Sequence, residues 1–567
     1  MKTSKKLLAL LLALAMLCTM FAACGSSASS AASDTSDAAA VSDTADASEA
    51  EAEPEAEAEA EADVNADAAP AASVTMPLAD HDVTLGLWTE LAPFLSGTAY
   101  EDPNLFPFYQ NLSEATGVDF NFTVVSMTAA EEQFNLSVAS QSFPDIICQP
   151  GYYSGSLDDA IENDVFLDFT DLAAEYAPDF LAVANTSDEI ARAVYSQDGR
   201  LAVFYEIATD PYPSNSGLVI RQDWLDEVGM DAPTTYDELH DVLVAFKETF
   251  NAESPMFTNA DSIMKELSSG YGFQGDFTNM DGTAVYSASS ENFEAYVTMM
   301  HEWYEEGLIY SDYYVYADNQ SENDNKRTEL VNTNQVGVWY NWCEDLELYD
   351  VDDPDYSLTA ITDPVLNAGD EIHLCSGVDP LVSSSGGWAI STNCSEENTI
   401  LAMELINYLY TEEGSTMANW GIEGETFYYD ENGTPRYTDL IVNNPDYATN
   451  MCIGIYCVFR GPILSDLSRF NQNVVGELAE YCDVWGTQDN SWDMPTVSMN
   501  AEDSERYNAL YSDIDTALSE NLPKFIIGDR DISELGDFMD TLEQMGLEEM
   551  VSLEQAALDN YYAKSIG

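Results

Sequence analysis

At 567 residues the chain is long enough for roughly 3–4 ordinary domains or fewer large ones, and 46% hydrophobic residues with 11% aromatics suffice for large cores. Its 17 Lys and Arg against 103 Asp and Glu give a net charge of −86. That balance excludes a nucleic-acid partner, which needs a basic footprint, and repels polyanionic glycans at long range unless a cation bridges them. A neutral or cationic ligand fits the charge; so does a surface protein whose acidity only keeps it soluble.

Lys2, Lys5 and Lys6 open the chain, and the apolar run over 7–17 is too short to span a bilayer comfortably. With Phe21-Ala22-Ala23-Cys24 this predicts a secretory signal peptide over 1–23. A cysteine directly after two small residues resembles the lipobox of bacterial lipoproteins. That implies cleavage before Cys24, lipidation of its sulfur and palmitate-type acylation; secretion with release is the alternative. Two or more acyl chains anchor stably where one alone does not. Cys18 fits less well, because Leu17 is bulky at the cleavage position. Residues 25–73 hold no Lys, Arg or aromatic and cannot bury enough surface to fold. We read 24–81 as a disordered, self-repelling acidic tether. The remaining cysteines (Cys148, Cys343, Cys375, Cys394, Cys452, Cys457, Cys482) are odd in number and scattered, so they predict buried thiols, not a disulfide framework. Cys452 and Cys457 lack a second Cys or His pair for zinc.

The folded part is expected to begin near Asp82. A strand over 83–87, a helix over 104–116 stopped by Gly117, a strand over 118–125, a helix capped by Thr128 and Glu131, and a short strand over 144–148 follow. Strand–helix–strand order predicts a parallel sheet with crossover helices, and its carboxyl strand ends are where such sheets bind ligands. A strand over 201–205 leads to the stiff turn Asp210-Pro211-Tyr212-Pro213. Next comes LVIRQDWLDEVGMDAPTTYDEL, 218–239: a short β-branched strand, an acidic helix stopped by Gly229, and a capping box of Thr235 and Glu238. The helix so capped carries Leu239, Val242, Leu243, Phe246 and Phe250 on one face. Further on are a helix near 292–306, strands over 336–342, 357–361 and 386–391, and a helix over 396–410 ending at Glu413-Gly414.

The 218–239 stretch closely resembles the signature of family 1 extracellular solute-binding proteins, the receptors of carbohydrate ABC importers. FPDII at 143–147, Trp388-Ala389-Ile390-Ser391 before a helix ending in EEG, Trp420 to Gly424, Tyr429 to Gly433 and the closing 525–550 segment resemble the oligosaccharide-binding lipoprotein branch of that family. The resemblance covers 82 to the C-terminus. It implies an α/β, periplasmic-binding-protein-like (type II) fold: two α/β lobes joined by a hinge, with a ligand cleft between them. On that basis we divide the chain into a first lobe over 82–210, a second over 211–353, a return to the first over 354–414 and a return to the second over 415–567.

Catalytic motifs give little. Gly270, Gly272 and Gly275 fit G-x-G-x-x-G, but follow a helical stretch and open a loop, so no dinucleotide site is expected. His301-Glu302 lacks a second His, and no P-loop or G-x-S-x-G is present. The four histidines are expected to be surface or structural. A glycosidase needs two carboxylates about 5–10 Å apart, which so acidic a sequence neither locates nor excludes. What remains is aromatic content. Trp and Tyr stack on the C–H faces of sugars while carboxylates and amides bond the hydroxyls. The candidates at strand ends and crossings are Trp88 and Glu90, Tyr152, Tyr212, Trp388 and Trp420. Trp339, Tyr340 and Trp342 match in position the sugar-stacking aromatics of the family. Each aromatic has core packing as its alternative; Trp339 and Tyr340 point to opposite faces if extended. Trp224 reads as core, and Arg221 as paired with a local carboxylate.

The resemblance implies a lipid-anchored receptor on the extracellular face of the cell membrane, of Gram-positive type. It would capture a neutral oligosaccharide, hand it to ABC transporter permease subunits, and act as a monomer without chemistry. Neither cofactor nor metal is expected, with calcium left open by the acidic run at 350–355. The alternatives are a peptide or other small-solute receptor, a surface glycoside hydrolase and, more remotely, a signalling or adhesive lipoprotein.

Overall fold

The computed structural model describes residues 76–564 apart from 93–94, 210–213, 316–319, 375–380, 459–460, 470–471 and 473–475. Cys24, the expected tether up to residue 75 and the expected crossing turn with Tyr212 therefore lie outside the described residues. The tether's last stretch, 76–81, is a correction: the Leu78 and Ala79 amides donate to the Thr116 carbonyl, and Met76 and Leu78 pack against the first core. Nine strands build two principal sheets: β1 Thr84–Leu91, β2 Asp119–Ser126, β3 Ile146–Cys148, β4 Val203–Ile207, β5 Ser216–Arg221, β6 Val338–Trp342, β7 Leu358–Ile361, β8 Val382–Ile390 and β9 Ile463–Leu464. The larger sheet has the order β9-β4-β8-β3-β1-β2, the smaller β6-β5-β7.

In the larger sheet β1 pairs in parallel with β2 and β3, as the strand–helix alternation predicts. Alternation along β1 sends Leu85 and Leu87 into one core and Trp88 into another. The FPD sequence has a structural reason. Asp145 Oδ2 accepts the Gly86 amide at 2.8 Å, and a Cβ on Gly86 would lie 2.9 Å from Pro144. Trp388, Ala389 and Ile390 on β8 then pair antiparallel with β3, and the Ser391 amide donates to the Asp145 carbonyl. The helix Pro107–Thr116 ends at Gly117 as expected, with φ at 72°. The capping box expected from Thr128 and Glu131 does not form. Residues Met127–Ala129 make a 3-10 turn, and the helix Ala130–Ser140 starts after Ala129 with no side-chain cap.

The smaller sheet is organised by β5, buried along its whole length between β6 and β7. The capping box of Thr235 and Glu238 forms on the helix Tyr236–Phe250, whose Leu239, Val242, Leu243 and Phe246 enter the second core. Tryptophan-to-arginine packing closes the motif: Arg221 is fully buried, forks onto Asp223 and lies 4.8 Å from the Trp224 ring. Both residues behave as read from sequence.

Strand pairing corrects two expected returns. Leu358–Ile361 pairs with β5 and so belongs to the smaller sheet, with the second lobe. The segment after 414 stays with the first lobe through 464: Met417, Ala418, Val458 and Ile463 enter the first core, and β9 pairs with β4. The helix Glu477–Trp485 is where the chain enters the second core again. Glu413-Gly414 does not end a helix. Gly414 lies in the first turn of the helix Glu412–Trp420, where Thr411 Oγ1 accepts its amide and any Cβ would meet the Tyr408 carbonyl. The two lobes are thus joined by three connections, at 208–215, 362–381 and 465–476. The stretch Gly270 to Gly275 is a 3-10 turn and loop leading into the strand Phe277–Met280, not a phosphate-binding turn.

Candidate functional site

The carboxyl ends of β1 and β3, Trp388 near the end of β8 and the helix Thr449–Tyr456 enclose a first-lobe cavity of about 390 Å³. Glu90, Gln149, Tyr109, Trp388 and Asn450 line it, with apolar walls from Leu91, Phe106 and Met127. It lies where an open α/β sheet exposes the ends of its strands to a ligand. The Tyr152 hydroxyl donates to Glu90 Oε2 at 2.5 Å and so fixes that carboxylate. Gln149 holds φ at 68°, a left-handed value unusual for a residue with a Cβ, while its amide reaches the Gly387 carbonyl. Burial raises the Tyr109 hydroxyl well above its ordinary pKa and pushes the Cys148 thiol up as well, so both are neutral. Among the described lining residues Glu90 is the one carboxylate, and none is a Lys or Arg.

On the second lobe, Trp342 ends β6 in register with Ser216, the first residue of β5 after the connection from β4. Its indole is 45% exposed. Tyr340, on the same face, is half-buried and its hydroxyl lies 2.6 Å from Ser216 Oγ.

The other aromatics separate into walls and cores. Trp388 is nearly buried but lines the cavity. Trp88 is 2% exposed, packed edge-on against Phe134, Phe143 and Tyr152, so it supports Tyr152 from below and does not face a ligand. Trp339 is fully buried in the second core beside Tyr349. Trp420 is buried with Phe427 and Tyr437, its Nε1 donating to Asp466. The expectation that these three present their faces to ligand is corrected by their burial. Tyr109 and Asn450 were missed from sequence, and Gln149 was not singled out although it opens the loop after FPDII, at a carboxyl strand end where such sheets bind ligands.

A larger groove of about 1250 Å³ lies elsewhere on the first lobe, between Glu114, Asp179, Glu404, Glu412 and Glu423. Tyr408, Phe427 and Tyr429 also line it, but it lies away from the carboxyl ends of β1 and β3. Among the described residues no group of three or more His, Cys, Asp or Glu is placed to hold a metal, and no helix is long and apolar enough to cross a membrane. The histidines are structural or superficial: His81 pairs with Asp119, His240 with Glu306 and His373 with Asp489, and His301 bonds the Ile526 carbonyl.

Two lobes of this topology, with a cavity at the strand ends of one and an exposed tryptophan at the hinge-side end of the other, make a type II periplasmic-binding-protein-like fold. Residues 105–416 match the bacterial extracellular solute-binding protein family, and the chain belongs to it. Over 532 residues it is 23% identical to FusA of Streptococcus pneumoniae, a fructooligosaccharide ABC transporter substrate-binding protein, covering 86% of this chain and 92% of FusA. The alginate-binding protein AlgQ2 superposes with a TM-score of 0.66 at 21% identity, covering 86% of this chain and 99% of AlgQ2. An HMO-binding, ABC-transporter-associated solute-binding protein of Bifidobacterium longum infantis gives 0.68 at 18% identity, covering 85% and 99%.

Proposed function

We propose that this protein is the lipid-anchored receptor of an ABC importer and captures a neutral oligosaccharide between its lobes. The observation that carries the reading is the first-lobe cavity, where Glu90, held by Tyr152, stands beside Trp388 with no cation in the lining. A carboxylate with neutral amides and hydroxyls bonds sugar hydroxyls, whereas a uronate would meet unpaired like charge. The resemblance to FusA supports a neutral sugar over the anionic one that AlgQ2 binds. Trp342 supplies a stacking face from the second lobe, so a ligand touching both walls favours the closed form. The single lining carboxylate also argues against a hydrolase, which needs two. The receptor performs no chemistry, holds its ligand for permease subunits and is tethered through Cys24 to the outer face of the cell membrane.

Titration calorimetry of the secreted chain, residues 25–567, tests this with kestose and other neutral oligosaccharides, a galacturonate trisaccharide and a tripeptide. Saturable heat with a neutral sugar, recovered intact, is expected. Heat with the tripeptide alone overturns the sugar assignment, heat with the galacturonate alone overturns neutrality, and recovery of a shortened sugar overturns the non-catalytic reading.

A further inference from the structure

The last described residue of the chain crosses from one lobe to the other. Helix Leu547–Ala563 is rooted in the second core through Leu547 and Met550. Directly after it, Lys564 Nζ donates to the carbonyls of Arg192 at 2.7 Å and Tyr195 at 3.1 Å. Those acceptors close the helix Asp188–Val194, whose Ile190 and Val194 are part of the first core. The last carbonyls of a helix have no partner within it and sit at the negative end of its dipole. A lysine ammonium supplies up to three donors and a positive charge, so it matches that end. The Tyr561 ring lies 5.5 Å from the ammonium; burial lowers the Lys564 pKa to about 8, and the Asp158 carboxylate of the first lobe acts against that shift.

A second bond lies beside the first. Helix Ala501–Ile526 runs against Leu547–Ala563, and Arg506 pairs with Glu549. In its first turn, Ser504 Oγ donates to the Ser154 carbonyl at 3.0 Å, in the loop that follows β3 and carries Gln149 and Tyr152. Both donors belong to the second lobe, and all three acceptors are main-chain carbonyls of the first. The acceptors are present whatever side chains the first lobe carries there, so the specificity of the contact resides in Lys564 and Ser504.

We propose that Lys564, with Ser504, forms an inter-lobe latch that fixes the mutual angle of the two lobes before any ligand binds. Two lobes joined by crossing segments can rotate about them. The latch is a separate tie, whose donors Lys564 and Ser504 do not line the ligand cavity. It makes the resting receptor more closed than the connections alone would hold it, and its release is a step in letting a ligand in or out.

Small-angle scattering of the ligand-free secreted chain tests this without any sugar. Lys564→Met keeps the apolar stem and removes the donors. It is expected to raise the radius of gyration of the folded part by about 1 Å over a compact value of about 23 Å, with thermal stability unchanged because neither core is touched. Lys564→Arg, which retains donors, should stay at the wild-type value. The pair Ser154→Cys and Ser504→Cys, oxidised, locks the same contact covalently and serves as the closed reference, including if Lys564→Met fails to fold. A wild-type radius equal to that of the locked pair supports the latch. Equal radii for wild type and Lys564→Met overturn it, as does a wild type already about 1 Å wider than the locked pair.

Discussion

Trp342 carries a half-exposed indole at the end of β6, while Trp339, three residues earlier on the strand, is fully buried. An odd spacing on an extended strand places two side chains on opposite faces, so Trp339 faces the second core and Trp342 is left exposed. The consequence is a separable pair of variants. Trp342→Ala should lower ligand affinity about tenfold, the loss of one stacking contact of about 1.4 kcal/mol, and leave the unfolding midpoint in place. Trp339→Ala should instead cost about 3–5 kcal/mol of stability through its cavity. Calorimetry and urea unfolding on each variant check the two; loss of affinity without loss of stability in Trp339→Ala would reverse the assignment. This is also where the sequence stopped being informative. Alternation shows that Trp339 and Tyr340 diverge, but which side is core depends on what packs against the strand. Arg221 was easier. A guanidinium two residues from Asp223 and three from Trp224 has its partners within its own turn, and it is found paired with one and packed on the other.

The third connection between the lobes shows how an element is placed by a close approach. Helix Glu477–Trp485 lies against β5 and β7, and the Trp485 Nε1 donates to the Leu218 carbonyl at 3.1 Å. That depth is allowed because residue 217 is glycine: a Cβ there would lie 2.4 Å from the Trp485 ring. Gly217→Ala should therefore displace the indole and destabilise the protein by about 1–3 kcal/mol. Gly229→Ala, also a glycine but with open space around it and φ at 70°, tests backbone strain alone. If Gly217→Ala unfolds like wild type in urea, the close approach is not what seats the helix. Helix boundaries such as the Thr235–Glu238 cap were legible because their signals are local. The sheet membership of Leu358–Ile361 was not: a four-residue apolar strand carries no information about its neighbour. The same limit hid the long stay of residues 415–464 in the first lobe.

Over the whole molecule, the net charge of −86 sets the sign of the pH response, and two buried carboxylates sharpen it. Asp363 is 2% exposed, accepts a bond from Ser269 at 2.8 Å, and burial raises its pKa to about 7. Glu554, 7% exposed on the buried face of the helix Leu547–Ala563, is likewise raised by burial to about 7. In the unfolded chain both return to about 4. A carboxyl whose folded pKa lies above its unfolded one binds more protons when folded. Its contribution to stability is therefore fully present below about pH 4 and is lost as pH rises through about 7. Self-repulsion among the surface acids grows over the same range, so both effects make the protein less stable at pH 8 than at pH 5. The two are separable, because Asp363→Asn and Glu554→Gln cannot ionise, whereas the surface charge is nearly unchanged. Each buried group should account for about 2–4 kcal/mol between pH 4 and 8. The double variant should then lose much of the fall in melting temperature that the wild type shows between pH 5 and 8.5. Scanning calorimetry across that range decides it. A double variant with the wild-type slope would take the pH response away from these two carboxylates and leave both ionised in the folded protein.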